Sequence, residues 1–238
     1  MSCVPLEDAE RGGDELRWLS RLRKAGLHPV DYRALSWPPR CSTDDLGLGC
    51  ALARPSLGAG NLLSLMASFL FTTCLRGRLE GWAAEVESWA AAHGARPLSA
   101  VVQEVLRATA SGLAYTLDPV TRRRAVVVQS VPGLHLALLT RGSPHDTFLL
   151  SPDGLRVEEV RVLPKPRALA VGSSGLEEVE VRDPGAQSIS DEIAVEVARL
   201  SLRAEEAIGS PVEVEWALVN NGVRLLAARP LPEELVRT

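Results

Sequence analysis

The sequence predicts an α+β fold, mainly antiparallel sheet with packed helices, and three segments carry this prediction. Apolar residues alternate with charged or small ones from Val212 to Val219, and an apolar run from Val223 to Ala228 follows Asn220-Asn221-Gly222. Asn-Gly between two such runs is the strongest short signal of a β-hairpin. A helical pattern precedes this closing hairpin, and a second hairpin pattern begins near Gly112. Separate hairpins and helices are typical of α+β domains.

Composition limits the class of protein. The chain has 238 residues, of which 46% are hydrophobic and 24% charged, with a net charge of −4. It can form one large or two small domains and lacks the basic excess that nucleic-acid binding requires. We find no signal-peptide pattern, and the apolar stretch Leu62 to Leu75 is too short for a membrane span. We therefore expect a cytoplasmic protein with reduced cysteines, binding neither nucleic acid nor membrane.

The N-terminal third predicts helices and loops around one short strand. Asp14 to Ala25 carries its leucines on one stripe and is followed by Gly26, which predicts a helix and its end. Residues 36–60 are rich in Pro, Gly and Ser and predict loops. Leu62 to Leu79 is apolar nearly all round and predicts a buried helix. A further helical stripe follows at Trp82, Val86 and Trp89.

The next part of the chain is predicted as strands. Leu98 to Leu106 predicts a strand, and Gly112 to Leu117 predicts another that enters a turn at Asp118-Pro119. Ala125 to Val131 is then the return strand of this hairpin. The alternation of apolar and polar positions indicates a sheet with a buried face.

Beyond this hairpin we predict two strands between Leu155 and Lys165, then a long connection over residues 172–188 that is rich in Gly, Ser and acidic residues. A helix is predicted from about Ser190 to Ile208, with Ser188 or Ser190 as its cap. As domains, we predict a reduced, mostly helical N-terminal part at residues 1–97 and a C-terminal lobe at residues 98–238.

The closing hairpin carries the candidate site. A period of two places Glu213 and Glu215 on one face of its first strand, and Arg229 ends the second strand just before Pro230. Two adjacent carboxylates with a guanidinium nearby suit a divalent cation and a polyphosphate. The alternative is a solvated hairpin face, because antiparallel pairs usually expose one face and charged residues are mostly exposed.

A family resemblance favours the first interpretation. Glu-Val-Glu-Trp-Ala, a turn, and Leu-Leu-Ala-Ala-Arg-Pro-Leu resemble the end of the nucleotide-binding ATP-grasp domain of phosphoenolpyruvate synthase, pyruvate phosphate dikinase and rifampin phosphotransferase, which has Asp-Ile-Glu-Trp-Ala and Leu-Gln-Ala-Arg-Pro-Ile/Val. The resemblance implies metal ligands at Glu213 and Glu215 and a phosphate ligand at Arg229. Ala227 stands where the family has a Gln ligand.

Other segments resemble the same family. Ala110 to Thr121 is similar to its Ser-Gly-Val-x-Phe-Thr-x-Asp-Pro-x-Thr-Gly, and Gly133-Leu134 keeps half of its Gly-Leu-Gly-Glu. Arg54 aligns with a phosphate-binding Arg. Asp14 falls where the family has an ATP-contacting Lys, and its negative charge would repel a polyphosphate; alternatively Asp14 is a helix N-cap. The resemblance implies an ATP-grasp-like domain with a reduced N-terminal subdomain.

The resemblance implies ATP and Mg²⁺ as cofactors and leaves three hypotheses, none of which assigns a catalytic residue. The chain is a degenerate module that has lost catalysis, a pseudoenzyme that binds a nucleotide or a protein partner. Alternatively, it is the nucleotide-binding subunit of a split ATP-dependent phosphotransferase of the dikinase type, completed in trans. The third hypothesis is a structural or assembly protein without a ligand, and the apolar helix at Leu62 to Leu75 would then suit a partner or a second copy.

Overall fold

The structure is a computed structural model that describes residues 5, 11–172 and 175–236. The chain divides into two compact units, of which unit 1 comprises Met1–Arg21 and Val30–Val105, and unit 2 comprises Leu22–Pro29 and Leu106–Thr238. Each ladder between named strands is antiparallel. The predicted α+β class with mainly antiparallel sheet is therefore confirmed. No helix in the described ranges is long and apolar enough to cross a membrane.

Unit 1 contains a four-stranded sheet in the order β1-β4-β2-β3. Its elements are α1 (Asp14–Lys24, which continues into unit 2), β1 (Tyr32–Ser36), β2 (Ala51–Leu57), α2 (Asn61–Phe71), β3 (Thr73–Leu75), α3 (Glu80–Ala92) and β4 (Pro97–Glu104). Trp82 and Val86 of α3 pack in a buried cluster with Leu35, Ala53 and Val102 of the sheet. The described part of residues 1–97, which we predict as mostly helical, thus contains the strands β1, β2 and β3 and the start of β4 as well as α1, α2 and α3.

The predicted helix from Leu62 to Leu79 is wrong in length and in burial. Helix α2 ends at Phe71, Thr72 is already extended, and β3 pairs with β2. The two successive β-branched residues, Thr72 and Thr73, favour this change to strand. One face of α2 is also exposed rather than buried, at Leu62, Met66 and Leu70.

The expectation of reduced cysteines is also wrong, since Cys41, Cys50 and Cys74 are each disulfide-bonded. A disulfide joins Cys50 to Cys74, and their Cα atoms lie 6.1 Å apart, within the range that a disulfide needs. The pair joins the start of β2 to β3, its neighbour in the sheet. No signal in the spacing of the cysteines predicts this pairing, because β3 itself was predicted as helix.

Unit 2 contains a six-stranded sheet in the order β12-β11-β5-β6-β7-β8 and a two-stranded sheet of β9 and β10. Its elements are β5 (Ala110–Tyr115), β6 (Val126–Pro132), α4 (Leu136–Arg141), β7 (Asp146–Leu150), β8 (Val157–Arg161), β9 (Arg167–Val171), β10 (Leu176–Glu180), α5 (Asp191–Ile208), β11 (Val212–Val219), β12 (Gly222–Pro230) and α6 (Glu233–Val236). Helix α5 packs against β12, β11, β6 and β5. It begins after Ser190, whose hydroxyl accepts a hydrogen bond from the Ile193 N–H, as predicted.

Two predictions between these elements need correction. One strand, β8, lies between Leu155 and Lys165, where we predict two, and strand β10 lies within the connection predicted at residues 172–188. All five residues of β10 are exposed. Because the strand has no buried face, it is not marked by the alternation of apolar and polar residues that predicts a half-buried strand.

Gly112 fixes how closely β5 and β6 approach. A Cβ atom at this position would lie 1.8 Å from the Gln129 carbonyl oxygen and 3.0 Å from the Trp216 ring. Since a side chain of any size would collide with the backbone of β6, this position requires glycine. The Ser-Gly of the predicted hairpin is therefore a packing requirement of the sheet.

The closing hairpin turns as predicted at Asn220 and Asn221, which have φ angles of 51° and 61°. Two left-handed residues in a two-residue loop make the type I′ turn that suits the twist of a hairpin. The register sets Glu213 opposite Arg229 on β12 and opposite Tyr115 on β5. A bulge follows between Glu215 and Trp216.

Candidate functional site

The closing hairpin brings the three predicted residues together in a buried cluster. Arg229 donates from Nη1 to Glu213 Oε1 and from Nη2 to Glu215 Oε1, each at 2.7 Å. Glu213, Glu215 and Arg229 are each 1% exposed. The alternative of a solvated hairpin face is therefore wrong.

Packing on the faces of β11, to which helix α5 contributes, accounts for this burial. Strand β11 lies between β12 and β5, and Val212 to Ala217 are all buried. Alternation within β11 predicts one exposed face for a simple hairpin, but this strand is covered on both faces. A buried carboxylate needs a counter-charge, and Arg229 supplies it to both acids.

His135 is a further member of this cluster that the sequence does not reveal. It lies directly before α4, is 3% exposed, and its Nε2 is 2.9 Å from Glu215 Oε2. In its Nε2–H tautomer, His135 donates a hydrogen bond to this carboxylate oxygen. The two residues are 80 positions apart, so only the sheet topology brings them together.

One carboxylate oxygen of the cluster makes no hydrogen bond with the described residues. Glu213 Oε2 is buried and has no hydrogen-bond partner in the described part of the chain. Two carboxylates and one guanidinium leave one negative charge uncompensated. A buried oxygen of this kind is costly unless a ligand or a proton satisfies it.

Burial changes the proton affinity of the cluster. It raises the pKa of Glu213 from 4.5 to about 7; Arg229 opposes this rise and Glu215 adds to it. Burial also raises the pKa of Tyr115 well above 10.0, and the neighbouring Glu213 adds to that rise. Tyr115 therefore stays neutral across the physiological range.

The raised pKa of Glu213 predicts a pH-dependent stability in metal-free buffer. The folded state keeps the proton of Glu213 up to about pH 7, whereas the unfolded chain releases it near 4.5. The free energy of unfolding should therefore fall as the pH rises through this window and level off above it. The expected fall is on the order of 3 kcal/mol, since one pKa unit corresponds to about 1.4 kcal/mol.

Urea unfolding at several pH values with EDTA measures this effect. Glu213→Gln, which carries no titrating proton, should remove that part of the slope. Glu159→Gln, at an exposed position of β8, is the matched control and should keep the slope. Equal slopes in the wild type and Glu213→Gln would contradict the prediction.

The two candidate residues of unit 1 are occupied by internal contacts. Arg54 is fully buried, hydrogen-bonds to Gln103 Oε1 and lies with Nε 3.7 Å from Glu15 Oε1. Asp14 is the first residue of α1 rather than its cap, because the Gly13 carbonyl accepts the first helical bond, from Arg17 N. These contacts leave the predicted role of Arg54 as a phosphate ligand untested.

The carboxylate of Asp14 is held on two sides. Its Oδ1 accepts a bond from Arg17 Nη1 at 3.1 Å, and its Oδ2 accepts one from the Ser64 hydroxyl at 2.6 Å. The residue is 5% exposed. A negative charge is thus fixed at the start of α1 in unit 1.

A second buried ion pair lies in unit 2. Lys165 Nζ donates to Asp146 Oδ1 at 2.5 Å and to the Leu163 carbonyl at 2.9 Å. Asp146 Oδ2 accepts the Ser188 N–H at 2.7 Å. The side chains are 2% and 0% exposed. This pair ties the segment after β8 and the start of α5 to strand β7.

Protein side chains alone do not complete a metal site. Among the described residues, no group of three or more His, Cys, Asp and Glu could hold a metal ion. A cation at the closing hairpin would thus take its other ligands from water or from a bound nucleotide, as Mg²⁺ in nucleotide sites does.

Comparison with known proteins identifies the family. The model of the pyruvate phosphate dikinase AMP/ATP-binding domain matches residues 88–235, which is more than half of the chain. The chain belongs to this family. Glu213, Glu215, Arg229 and His135 lie inside the segment that matches the pyruvate phosphate dikinase domain, whereas Asp14 and Arg54 lie outside it.

Curated relatives agree with this membership. The chain is 35% identical over 143 residues to a rifampicin phosphotransferase of Streptomyces sp., covering 56% of this chain and 16% of that protein. It is 26% identical over 171 residues to the phosphoenolpyruvate synthase of Aeropyrum pernix, covering 58% and 21%. The chain thus spans about a fifth or less of these relatives. The predicted family resemblance is confirmed.

A search of solved structures adds nothing to this assignment. The D-alanine–D-alanine ligase of Bacillus anthracis complexed with ATP aligns with a TM-score of 0.47 and 11% identity, covering 92% of this chain and 56% of that one. Membership of the pyruvate phosphate dikinase family and the antiparallel α+β architecture agree with the predicted ATP-grasp-like class.

Proposed function

We propose that the chain binds a magnesium nucleotide at the closing hairpin and that its phosphoryl transfer is impaired. The observation that carries the binding proposal is the buried cluster of Glu213, Glu215 and Arg229, which keeps an unpartnered carboxylate oxygen. Family membership supports ATP as the nucleotide, because the matched domain is described as AMP/ATP-binding.

The residues of the cluster fit Mg²⁺. Carboxylate oxygens are its preferred protein ligands, and one or two of them are enough when phosphates supply the rest. Glu213 Oε2 is a buried oxygen without a hydrogen-bond partner in the described part of the chain. Glu213 and Glu215 would hold the ion, which when bound neutralises charge on the phosphates. Arg229, with five N–H donors, would bind the phosphates.

Unit 1 supports the proposal of impaired transfer. Phosphoryl transfer depends on cations that surround the transferred group. By the family resemblance, Asp14 stands where the family has an ATP-contacting Lys, and within unit 1 its carboxylate is held by the Ser64 hydroxyl. Ala227 supplies no polar group where the family has Gln. The alternative, a split phosphotransferase completed in trans, rests on the retained Glu213, Glu215 and Arg229.

Thermal unfolding tests the binding proposal. ATP with Mg²⁺ should raise the melting temperature, and a nucleotide at 100 times its Kd adds about 2.7 kcal/mol. EDTA should reduce the shift, and Glu213→Gln should lose its dependence on Mg²⁺. Glu159→Gln, on the exposed face of β8, should keep the wild-type response.

Each of the other hypotheses predicts a different result in this test. No shift with ATP, ADP or AMP would reject nucleotide binding and favour a structural or assembly protein. Binding accompanied by ATP hydrolysis or by phosphorylation of the chain would reject impairment and favour the split phosphotransferase. Size-exclusion chromatography with light scattering shows whether the chain forms homo-oligomers.

A further inference from the structure

The junction between α2 and β3 in unit 1 has little support from its surroundings. Strand β3 has three residues, each half-buried, and lies at the edge of its sheet with β2 as its neighbour. Just before it, the hydroxyls of Ser68 and Thr72 are buried and have no hydrogen-bond partner among the described residues. A buried polar group without a partner destabilises the fold that contains it. Short edge strands with few buried contacts are also the segments that open locally.

The same residues can continue helix α2. The run from Leu62 to Leu75 contains no charged residue and predicts a helix over its whole length. The Thr72 N–H already donates to the Ser68 carbonyl at 3.0 Å, as a helical residue does. Continuing the helix to Leu75 adds about one turn, in which the Thr72 hydroxyl can bond to the carbonyl four residues earlier. One short strand and one helical turn are therefore alternative conformations of this segment.

Two contacts hold the strand conformation. The disulfide between Cys50 and Cys74 ties the middle of β3 to the residue that precedes β2. The indole N–H of Trp82 donates to the Phe71 carbonyl at 2.9 Å, and in a continued helix this carbonyl would accept the Leu75 N–H instead. Because the disulfide is covalent, β3 cannot leave β2 while the bond is intact.

We propose that the Cys50–Cys74 disulfide is a redox-sensitive clamp: when a dithiol reductant opens it, β3 leaves the sheet and α2 extends to Leu75. The reaction is thiol–disulfide exchange. The dithiol gives up two electrons and two protons and becomes a disulfide, and Cys50 and Cys74 become thiols. The opened bond then biases an element with two conformations, which is how redox switches act. This inference concerns unit 1 alone and does not rest on the proposed nucleotide function.

Reduction would also place a thiol on an exposed surface. Leu62, Met66 and Leu70 form the exposed face of α2, and Cys74 follows Leu70 at the same spacing. Residues four apart share one face of a helix, so Cys74 would join this face in the extended helix. Cys50, which is 8% exposed, would stay beside β2. Exposed thiols are open to alkylation and oxidation, whereas buried ones are inert.

Nuclear magnetic resonance of the full chain, oxidised and after treatment with dithiothreitol, tests the switch. On reduction, the ¹³Cα chemical shifts of Thr73 and Leu75 should change from strand values to helix values, while those of β4 stay unchanged. The double variant Cys50→Ser with Cys74→Ser should show the helix values without reductant. Cys41→Ser is the matched control: it removes a different disulfide-bonded cysteine and should change only on reduction.

Alkylation with iodoacetamide, followed by mass spectrometry, gives a second measurement. In the reduced protein Cys74 should react about tenfold faster than Cys50, because only Cys74 becomes exposed. Strand-like shifts at Thr73 and Leu75 in both the reduced protein and the double serine variant would overturn the proposal and make the disulfide a permanent link. Disordered shifts at these residues, or equal labelling of the two thiols, would overturn the helix extension and with it the switch.

Discussion

Arg229→Met should lower the free energy of unfolding by about 3–5 kcal/mol at neutral pH, because breaking a buried ion pair leaves uncompensated charge in the interior. Two carboxylates lose their shared partner in this variant, and methionine replaces the volume but not the charge. Urea unfolding measures the loss. The destabilisation should shrink in acid, where Glu213, whose pKa burial raises to about 7, takes up a proton.

A control on the same strand separates this effect from a general loss of arginine. Arg224 of β12 is exposed, and Arg224→Met should change the free energy of unfolding by less than about 0.5 kcal/mol. Arg229→Lys keeps the charge but cannot bridge two carboxylates with a planar fork, so it should fall between wild type and Arg229→Met. Wild-type stability in Arg229→Met would refute the view that Arg229 compensates both acids.

Lys165→Met should be similarly destabilising, by about 3–5 kcal/mol, because it leaves the carboxylate of Asp146 buried without a counter-charge. Asp146 is fully buried, and Lys165 also donates to the Leu163 carbonyl. Chemical unfolding at pH 7 measures the loss, and the double variant Lys165→Met with Asp146→Leu should recover much of it, since an apolar pair needs no counter-charge.

An exposed ion pair in the same unit provides the comparison. Arg156 Nη2 lies 2.8 Å from Glu158 Oε1, with side chains 76% and 39% exposed. Arg156→Met should cost less than about 1 kcal/mol, because water screens such pairs. Equal losses of unfolding free energy in Lys165→Met and Arg156→Met would show that burial of the Lys165–Asp146 pair does not determine how much the pair stabilises the fold.

Local sequence patterns predicted the features that depend on interactions between residues close together in the chain. The turn at Asn220 and Asn221, the cap at Ser190 and the proximity of Glu213, Glu215 and Arg229 all depend on residues close in the chain. The hairpin of β5 and β6, helix α5 and the closing hairpin follow one another in the predicted order for the same reason. Periodicity alone did not decide whether Glu213 and Glu215 form a ligand site or a solvated face, and the family motifs favoured the ligand site.

Features that depend on long-range packing were not predictable. His135 lies 80 residues from Glu215, and no local pattern marks it as part of the site. Burial of both faces of β11 depends on elements that pack on them from elsewhere in the chain, such as helix α5, and alternation within one hairpin does not show this packing. Helix α2 ends early because β3 pairs with β2, and this tertiary pairing overrides an apolar run that is long enough for a helix.

The sheet order of unit 2 also determines when the cluster can form during synthesis. Strand β5 begins at Ala110 and β11 at Val212, so β5 leaves the ribosome long before β11, whose Val212 N–H bonds to the Thr116 hydroxyl across 96 positions. Until then β5 is an open sheet edge, which invites pairing with another nascent chain. Such distant pairing also slows folding. The strand that brings Glu213 and Glu215 into the protein interior is thus also the strand that closes this open edge of β5.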